Sequence, residues 1–391
     1  MIKYQKASIE DVDVTGRVVL LRVDFNVPIL NGAITDDSRI IASLPTIRDL
    51  IGREVKQVIV LSHLGRPEGP EEAFSLKPIR ERLEGLLGLP VGFDEPTEAF
   101  SRMDQVVLCE NLRFWKGEEK NNQDFAQNLI KATKADLFVQ DGFSVCHRTT
   151  ATTEVITRLL PSYASAGLIQ EYEAINQFIE DAPRPLVAVL GGAKISDKID
   201  FVKRMVELAD QVFVGGALGT TFLRANGKPV GSSLVEYDQE KVVEEINQLV
   251  KAERKALFLP TDVKVAPDEL AGAYENKLVE AVLGQDKILD IGDSSTMVLG
   301  QLMANAGAVI WNGPLGYVEN PTFEAGSEVI VRSLSALEKP ALIGGGDTLA
   351  FIKREQPNLD YDGLVLSTGG GAMLELIASG RLVGVDCLLD A

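Results

Sequence analysis

Short runs of apolar and β-branched residues recur along almost the whole chain, and helix-length amphipathic stretches separate most of them. In the first part of the sequence these runs cover 18–23, 57–61, 106–109 and 136–140. In the second part they cover 186–190, 211–215, 256–259, 288–291, 308–311, 341–344 and 363–366. Continuous apolar strands that alternate with helices are typical of parallel sheets covered on both faces. The pattern therefore predicts an α/β protein built from doubly wound, Rossmann-like parallel sheets.

The length of the chain and one break in the pattern predict two domains. The chain has 391 residues, which exceeds the usual size of a single hydrophobic core. Within the break, an acidic stretch from Leu168 to Asp181 has helical character, and prolines at 183 and 185 end it. We expect an N-terminal domain over 1–167, a hinge helix over 168–182 and a C-terminal domain over 183–375, with a cleft between the two domains.

Composition argues against several classes of protein. The net charge of −18 is unfavourable for nonspecific binding to nucleic acid, which needs a basic surface. Cys109, Cys146 and Cys387 have no metal-binding or redox-motif spacing. The N-terminus has no apolar signal core, and no apolar run approaches the roughly 20 residues of a spanning helix. We expect a reduced, cytoplasmic protein without nucleic-acid or membrane partners.

Polar clusters follow the predicted strands, where parallel sheets bind their ligands. In the first half these clusters contain arginine and histidine: Arg39, His63, Arg66, Arg113, His147 and Arg148. In the second half they contain glycine and lysine, at 191–194, 198, 344–348 and 368–371. Two anion sites of different chemistry indicate two phosphorylated ligands. This layout is expected of a phosphoryl-transfer enzyme.

Arg39 follows Thr35-Asp36-Asp37-Ser38, a run that favours the start of a helix. A cation in the first helical turn opposes the helix dipole by about 0.3–1 kcal/mol. Helix stability therefore does not explain Arg39, whereas an anion bound at the helix start would. The alternative is an ordinary solvated arginine on the surface.

Lys194 and Lys198 are four residues apart after Gly191-Gly192, where a helix is predicted to begin. Like charges at this spacing repel each other on one helix face, and both oppose the helix dipole. A polyphosphate at the helix start would remove both penalties. A local ion pair with Asp197 is the alternative explanation.

Two glycine runs, at 344–346 and 369–371, each stand between a predicted strand and a predicted helix. Glycines let backbone N–H groups approach a phosphate closely, and Asp347 is placed to bind Mg²⁺ beside it. Each run alone is equally typical of a tight strand–helix turn. Neither run belongs to the P-loop or dinucleotide-binding signatures. Cys146 beside His147 is a conceivable nucleophile, but no third orienting group is evident, so a packing role is favoured.

An ordered set of motifs resembles phosphoglycerate kinase over essentially the whole chain. In the first half the matching segments are RVDFNVP at 22–28, ITDDSR at 34–39, LSHLGRP at 61–67, ENLRF at 110–114 and HR at 147–148. In the second half they are LGGAKISDKI at 190–199, GSSLVE at 231–236, WNGPLGYVE at 311–319, GGGDT at 344–348 and STGGGA at 367–372. Any one of these could arise by chance, but the ordered set could not plausibly do so.

The resemblance implies a role for each matching position. Substrate binding is implied for Asp24, Phe25, Asn26, Arg39, His63, Leu64, Gly65, Arg66, Arg113 and Arg148. Nucleotide binding is implied for Lys198, Gly292, Glu319, Gly345, Gly346, Asp347 and Thr348, with Asp347 on the Mg²⁺ ion. Catalytic roles are implied for Arg39, Lys194, Lys198, Gly346 and Gly370. It further implies a monomer whose C-terminal tail, 376–391, packs on the N-terminal domain, and a hinge that closes on 3-phosphoglycerate and MgATP.

Some positions depart from the family pattern. Gly142, Ser144 and Thr150 differ near the substrate site, and Asp293 stands where proline is common after Gly292. Two alternatives remain. A dinucleotide-dependent oxidoreductase would need a GxGxxG turn followed by an acid, and we find none. A catalytically weakened relative that only binds anions or nucleotides would have lost charged groups, and all of them are present.

Overall fold

The computed structural model describes residues 4–30, 32–97, 100–192, 196 and 198–391. The chain divides into two compact units, one comprising Met1–Ala174 with Ser379–Ala391 and the other Ile175–Ala378. Each unit is built around a six-stranded sheet whose strands are all parallel. The prediction of an α/β fold with two doubly wound parallel sheets is confirmed.

The first unit contains strands β1 to β8 and helices α1 to α4, and it begins α5. The strands are β1 Val18–Arg22, β2 Ile29–Leu30, β3 Ala33–Ile34, β4 Gln57–Leu61, β5 Val91–Asp94, β6 Val106–Cys109, β7 Leu137–Gln140 and β8 Ser162–Ala164. The helices are α1 Ser38–Gly52, α2 Lys77–Leu87, α3 Lys116–Glu119, α4 Gln123–Thr133 and α5 Ala166–Asp181. The main sheet has the order β5-β6-β4-β1-β7-β8, and β2 and β3 form a separate hairpin.

The second unit contains strands β9 to β17. They are β9 Leu186–Leu190, β10 Gln211–Val214, β11 Ala256–Phe258, β12 Asp262–Ala266, β13 Glu275–Leu278, β14 Lys287–Ile291, β15 Ala308–Asn312, β16 Ala341–Gly344 and β17 Leu364–Ser367. The parallel sheet has the order β11-β10-β9-β15-β16-β17. The run at 288–291, which we predicted to join the parallel strands, lies instead in a three-stranded antiparallel sheet of order β13-β12-β14. Periodicity does not reveal strand direction, so the sequence could not separate the two cases.

The remaining helices are α6 Ile199–Leu208, α7 Gly216–Ala225, α8 Glu240–Ala252, α9 Asp293–Asn305, α10 Ala325–Leu337, α11 Gly346–Glu355, α12 Gly370–Ser379 and α13 Val383–Asp386. Short 3-10 helices cover Ile9–Asp11, Glu72–Phe74, Leu112–Phe114, Phe143–Val145, Val155–Arg158, Val279–Ala281 and Pro321–Phe323. No helix among the described residues is long and apolar enough to cross a membrane.

The central strands are buried along their whole length because helices cover both faces of each sheet. All five residues of β1, β4, β9 and β15 are buried. Burial of one large aliphatic side chain contributes about 1.5–3 kcal/mol, so these strands form a rigid base for the loops at their ends. The ligand-binding candidates lie on those loops.

The last residues of the sequence pair with the beginning of the chain. The Ala7 amide donates to the Leu389 carbonyl at 2.8 Å, and Lys6 Nζ lies 2.7 Å from Asp390 Oδ1. The Gly384 amide donates to the Cys146 carbonyl at 2.8 Å. This segment is therefore an integral part of the first unit.

Candidate active site

In the first unit, charged and polar residues follow the carboxyl ends of four strands that are adjacent in the sheet. Asp24 and Asn26 follow β1, the segment 63–66 follows β4, Arg113 lies after β6 and Arg148 after β7. His63 experiences the charges of Asp24, Arg113 and Arg148, so these groups lie within electrostatic reach of one another. The structure therefore brings the sequence-predicted substrate residues together at one edge of the sheet.

Asp24 holds Arg39 in place. Arg39 Nη1 lies 2.5 Å from Asp24 Oδ2, and Ser144 Oγ donates to the same carboxylate oxygen. Burial alone would raise the pKa of Asp24, but the Arg39 charge and these hydrogen bonds shift the pKa below its usual range. The sequence argument weighed a bound anion against a solvated arginine at the start of α1, and it missed a third possibility, because the protein supplies a carboxylate of its own.

Arg66, Arg113 and Arg148 form a cationic surface that has fewer carboxylates than arginines. Arg113 Nε lies 2.6 Å from Glu119 Oε1, and its Nη1 donates to the Gly65 carbonyl. Burial lowers the pKa of Arg148, and the neighbouring charges of Arg113 and Arg66 lower it further. Within the described part of the chain, neither Arg66 nor Arg148 has an ion-pair partner. A bound polyanion would relieve this repulsion.

Burial favours the neutral form of both histidine rings. It lowers the pKa of His63 well below its usual range; the Asp24 charge opposes this shift, and the charges of Arg22, Arg113 and Arg148 add to it. Burial and Arg148 lower the pKa of His147 to about 4. Each ring can therefore act as a hydrogen-bond donor or acceptor, and the cationic charge of the site comes from arginine alone.

Backbone groups complete the first site. Asn26 Oδ1 accepts a hydrogen bond from the Gly65 amide at 2.9 Å, which ties the loop after β1 to the loop after β4. Gly65 has a φ of +60°, and a Cβ there would lie 2.3 Å from the Phe74 ring, so only glycine fits. The side chains of Phe25 and Leu64 are buried in the core. Only the backbone of these two residues can face a ligand.

The second unit contains a cavity of about 450 Å³ at the ends of β9, β15 and β16. The described residues lining it are Gly192, Lys198, Asn312, Gly313, Pro314, Gly345, Gly346, Asp347, Thr348, Gly370, Gly371 and Leu374. Helices α11 and α12 begin at its wall, with Gly346 and Gly370 as their first residues. Unpaired N–H groups at two helix N-termini, each with the positive end of a helix dipole, favour phosphate binding.

Lys198 provides the positive charge in the described wall of this cavity. Its Nζ donates to Asn312 Oδ1 at 2.8 Å and to the Gly191 carbonyl at 3.0 Å. The prediction that Lys194 and Lys198 lie in one helix is wrong, because α6 begins only at Ile199 and Lys198 is its N-cap residue. Lys194 lies outside the described residues.

Within the glycine run at 344–346, backbone geometry requires glycine at Gly345. Gly345 has a φ of +106°, and a Cβ there would lie 3.2 Å from Asn312 Nδ2 and 3.3 Å from Thr348 Oγ1. Residues with side chains rarely adopt this conformation. The Gly345 backbone therefore turns directly from β16 into α11, which aims the N-terminus of that helix at the cavity.

The side chains that begin α11 differ in exposure. Asp347 is exposed in the first turn, whereas Thr348 is buried and its Oγ1 accepts from the Gly313 amide at 2.9 Å. Among the described residues no group of three or more carboxylate, histidine or cysteine side chains could bind a metal. A single carboxylate in a phosphate cavity fits Mg²⁺, which commonly keeps several waters and binds mainly through substrate phosphates.

Two predicted nucleotide residues lie away from the described wall of the cavity. Gly292 ends the antiparallel sheet before α9, and its amide donates to the Asp262 carbonyl at 2.8 Å. Glu319 is exposed in the turn after β15. The structure does not bring either residue together with Lys198 and Asp347 in this cavity.

The sequence analysis missed Arg22 and Asn312, and it named Ser144 only as a departure from the family pattern. Asn312 is the last residue of β15, and it bridges Lys198 to the Gly344 carbonyl through hydrogen bonds of 2.8 Å each. The rule that polar residues at strand ends bind ligands could have identified it. Arg22 ends β1, but an arginine inside an apolar strand gives no sign of which group it contacts.

Comparison with known proteins gives a consistent result. The family model for phosphoglycerate kinase matches residues 9–380. A phosphoglycerate kinase from Pelotomaculum thermopropionicum is 39% identical and covers 98% of this chain and 99% of its own length. One from Nostoc punctiforme is 39% identical over the full length of both chains. The structure is similar to phosphoglycerate kinase from Coxiella burnetii, with a TM-score of 0.81, 34% identity and 98% coverage of both chains.

Proposed function

The chain belongs to the phosphoglycerate kinase family, and on that premise we propose how its two sites divide the reaction. The family's activity is that of a phosphotransferase with a carboxyl group as acceptor, and it serves glycolysis. We assign the substrate 3-phosphoglycerate, or 1,3-bisphosphoglycerate, to the first unit and ADP or ATP to the second. The observation that carries this division is the cationic surface of Arg66, Arg113 and Arg148, because a small polyanion fits it without a metal.

In the first unit the arginines would bind the phosphate and carboxylate oxygens of the substrate. An arginine side chain presents a planar fork of donors that matches two oxygens of one anion. The Asp24 carboxylate suits a substrate hydroxyl, since the carboxylate remains ionised and accepts hydrogen bonds. Asn26 and the backbone of 64–65 would set the orientation of the ligand. This arrangement favours a short polyanion over a neutral molecule.

In the second unit the N-termini of α11 and α12 would hold the nucleotide phosphates together with Lys198. Asp347 is the residue we assign to Mg²⁺, which would neutralise phosphate charge when bound with the nucleotide. Gly345, Gly346 and Thr348 shape the loop that admits the phosphates. The resemblance also assigns Glu319 to the nucleotide ribose and Gly292 to nucleotide binding. Both of these remain proposals.

The transfer itself needs no covalent enzyme intermediate. The bond from phosphorus to the acyl oxygen breaks as a bond from phosphorus to the terminal oxygen of ADP forms, and the carboxylate of 3-phosphoglycerate leaves. Arg39 would stabilise the charge on the transferring group, and Gly346 and Gly370 would do so through their backbone amides. Lys194 has the same role by resemblance. The sites lie on separate units, so we propose that a hinge closes to align the ligands and exclude water.

Scattering in solution tests the closure. We expect the radius of gyration to fall more with both ligands bound than with either alone, because only the pair bridges the two units. If the doubly liganded protein were no more compact than the singly liganded forms, hinge closure would have to be abandoned.

A coupled assay with 3-phosphoglycerate and MgATP tests the function. We expect turnover that depends on both substrates and on Mg²⁺. The alternative, a weakened relative, would bind both ligands in calorimetric titration and show no turnover. We also propose a monomer that works in the cytoplasm, which size-exclusion chromatography and cell fractionation would check.

A further inference from the structure

Arg22 is a buried cation beneath the first site, and the roles assigned so far do not use it. Only 3% of the residue is exposed. Its Nη1 donates to the Val23 carbonyl at 2.5 Å, and its Nε donates to Thr152 Oγ1 at 3.0 Å. Burying a guanidinium group is costly unless its donors find partners. The remaining nitrogen, Nη2, points at a residue of the substrate site.

That residue is His63, whose Nδ1 lies 3.4 Å from Arg22 Nη2. Arginine has donors and no acceptor, so the interaction is attractive only if Nδ1 carries a lone pair. A proton on Nδ1 would set two donors against each other. A second proton would add a cation to a ring already surrounded by Arg22, Arg113 and Arg148, with Asp24 as the opposing charge. The single ring proton therefore belongs on Nε2.

Buried hydrogen bonds through Thr152 and Glu118 hold the Arg22 side chain in place. Glu118 is 2% exposed, and its carboxylate accepts hydrogen bonds from Thr150 Oγ1 at 2.9 Å and from Thr152 Oγ1 at 2.7 Å. Thr152 thus connects the Glu118 carboxylate to Arg22 Nε. Glu118 also stabilises the charged form of Arg22, against the effect of burial. The chain Glu118–Thr152–Arg22 fixes the guanidinium behind the imidazole ring.

We propose that Arg22 is a positioning residue that fixes His63 as the neutral tautomer with its proton on Nε2, so that the ring donates one hydrogen bond to a substrate oxygen. The ring makes no second side-chain hydrogen bond within the described residues, which leaves the Nε2 proton for a ligand. The last step rests on the proposed function, since it needs an anionic ligand beside His63. The tautomer itself does not depend on that function.

Nitrogen-15 NMR of the histidine rings measures the tautomer directly in the ligand-free enzyme. The chain has only two histidines, so a His147→Asn variant assigns both rings. We expect the nitrogen-15 chemical shift of His63 Nδ1 to be that of an unprotonated nitrogen, and the shift of Nε2 to be that of a protonated one. Both chemical shifts should stay constant through the neutral pH range. A proton on Nδ1, or two ring protons at neutral pH, would overturn the proposal.

The variant that tests Arg22 has to preserve the fold. Arg22→Met alone would leave Glu118 charged and unpaired in the interior, so the pair Arg22→Met with Glu118→Gln removes both charges together. In this double variant we expect signals from both His63 tautomers. We expect 3-phosphoglycerate to bind roughly threefold to tenfold more weakly, because one hydrogen bond is lost. In steady-state kinetics KM should rise, and kcat should change little.

Two further variants separate positioning from charge. Thr152→Val keeps both charges and removes the link between them, so we expect a smaller change in the same direction. Arg48→Met removes an exposed arginine from α1, and it should alter neither the tautomer nor the affinity. If the double variant folds and keeps the pure Nε2 tautomer, Arg22 does not set it and the proposal is wrong. If the wild-type tautomer is as expected but 3-phosphoglycerate does not bind, the proposed function fails and the assignment of the ring proton stands.

Discussion

The two anion sites hold their cations in different ways. In the first unit, Arg39 and Arg113 each pair with a carboxylate of the protein before any ligand arrives. In the second unit, Lys198 Nζ donates to the Asn312 side chain and to the Gly191 carbonyl. The N-termini of α11 and α12 add partial positive charges to the described wall of the cavity. The first site therefore relies mainly on charged side chains, whereas the described part of the second combines one lysine with helix dipoles.

The difference suits the two ligands that we assign. A small substrate enters without a metal, so the protein supplies its counter-charges and keeps them ordered with Asp24 and Glu119. We expect a nucleotide to arrive with Mg²⁺, which neutralises much of its charge, so that Lys198 and oriented backbone amides provide the remaining positive potential. The comparison therefore predicts that substitution of charged side chains impairs the first site most. In the second site, changes in backbone conformation should have a larger share of the effect.

The largest effect is expected at Arg39. Arg39→Ala should reduce turnover by roughly 10²–10³-fold, because a full charge near the transferring group is lost. Arg39→Lys should be less severe, since lysine keeps the charge and loses the planar fork. Steady-state kinetics would measure both. The matched control is Arg48→Ala on the same helix, which should leave turnover unchanged, and near wild-type turnover in Arg39→Ala would exclude the assigned role.

Lys198→Ala should weaken binding of MgADP about 10-fold to 100-fold, the cost of removing hydrogen bonds to a charged group. Binding of 3-phosphoglycerate should remain unchanged, because its site is on the other unit. Calorimetric titration with each ligand gives both values. The control is Lys203→Ala on α6, which removes a surface ion pair with Glu245 of α8. An equal loss for both ligands would mean that the two sites are wrongly assigned to separate units.

Neighbouring glycines test the importance of backbone in the second site. Gly345→Ala should lower the free energy of unfolding by about 1–3 kcal/mol, because alanine is strained at positive φ. Gly346→Ala should cause no such loss, since a Cβ at Gly346 meets nothing within 4 Å. Denaturant unfolding, followed by a probe in the second unit, compares them. Equal stability of the two variants would show that the turn at Gly345 is not constrained as described.

The smallest effect is expected at Cys146. The thiol is fully buried, and burial raises its pKa well above the usual range, so little of the reactive thiolate is present. Cys146→Ser should keep activity and lose about 1 kcal/mol of stability or less, because the Gly142 carbonyl already accepts from Sγ and can accept from a hydroxyl. Activity assays and thermal unfolding would check this. Loss of activity without loss of stability, with a trapped covalent adduct in the wild type, would contradict direct transfer.

The sequence predicted what depends on local pattern. Most strands of the two parallel sheets follow from apolar runs, and the start of α1 at Ser38 follows from the polar run before it. The strand at 287–291 was placed in the wrong sheet because direction depends on distant partners. The helical pairing of Lys194 and Lys198 was wrong because α6 begins only at Ile199, after Lys198.

The site was predicted less completely than the fold. Side chains at strand ends could be identified, because parallel strands bring their carboxyl ends together. The partners of these side chains could not be identified, because Asp24 contacts Arg39 and Ser144 only in the folded chain. These residues are 15 and 120 positions from Asp24 in the sequence. The same holds for the contact of Arg22 with His63, which joins two strands 41 residues apart.

The return of Ser379–Ala391 to the first unit has a consequence for how the protein is made. A ribosome synthesises the residues of the first unit up to Ala174 before any of the second. The Leu389 groups that pair with Ala7 and Ser162 emerge only after the second unit has been translated. The unit that is begun first is therefore completed last, and its newly made chain must wait for some 200 further residues. At translation rates of roughly 5–20 residues per second, that interval lasts about 10–40 seconds.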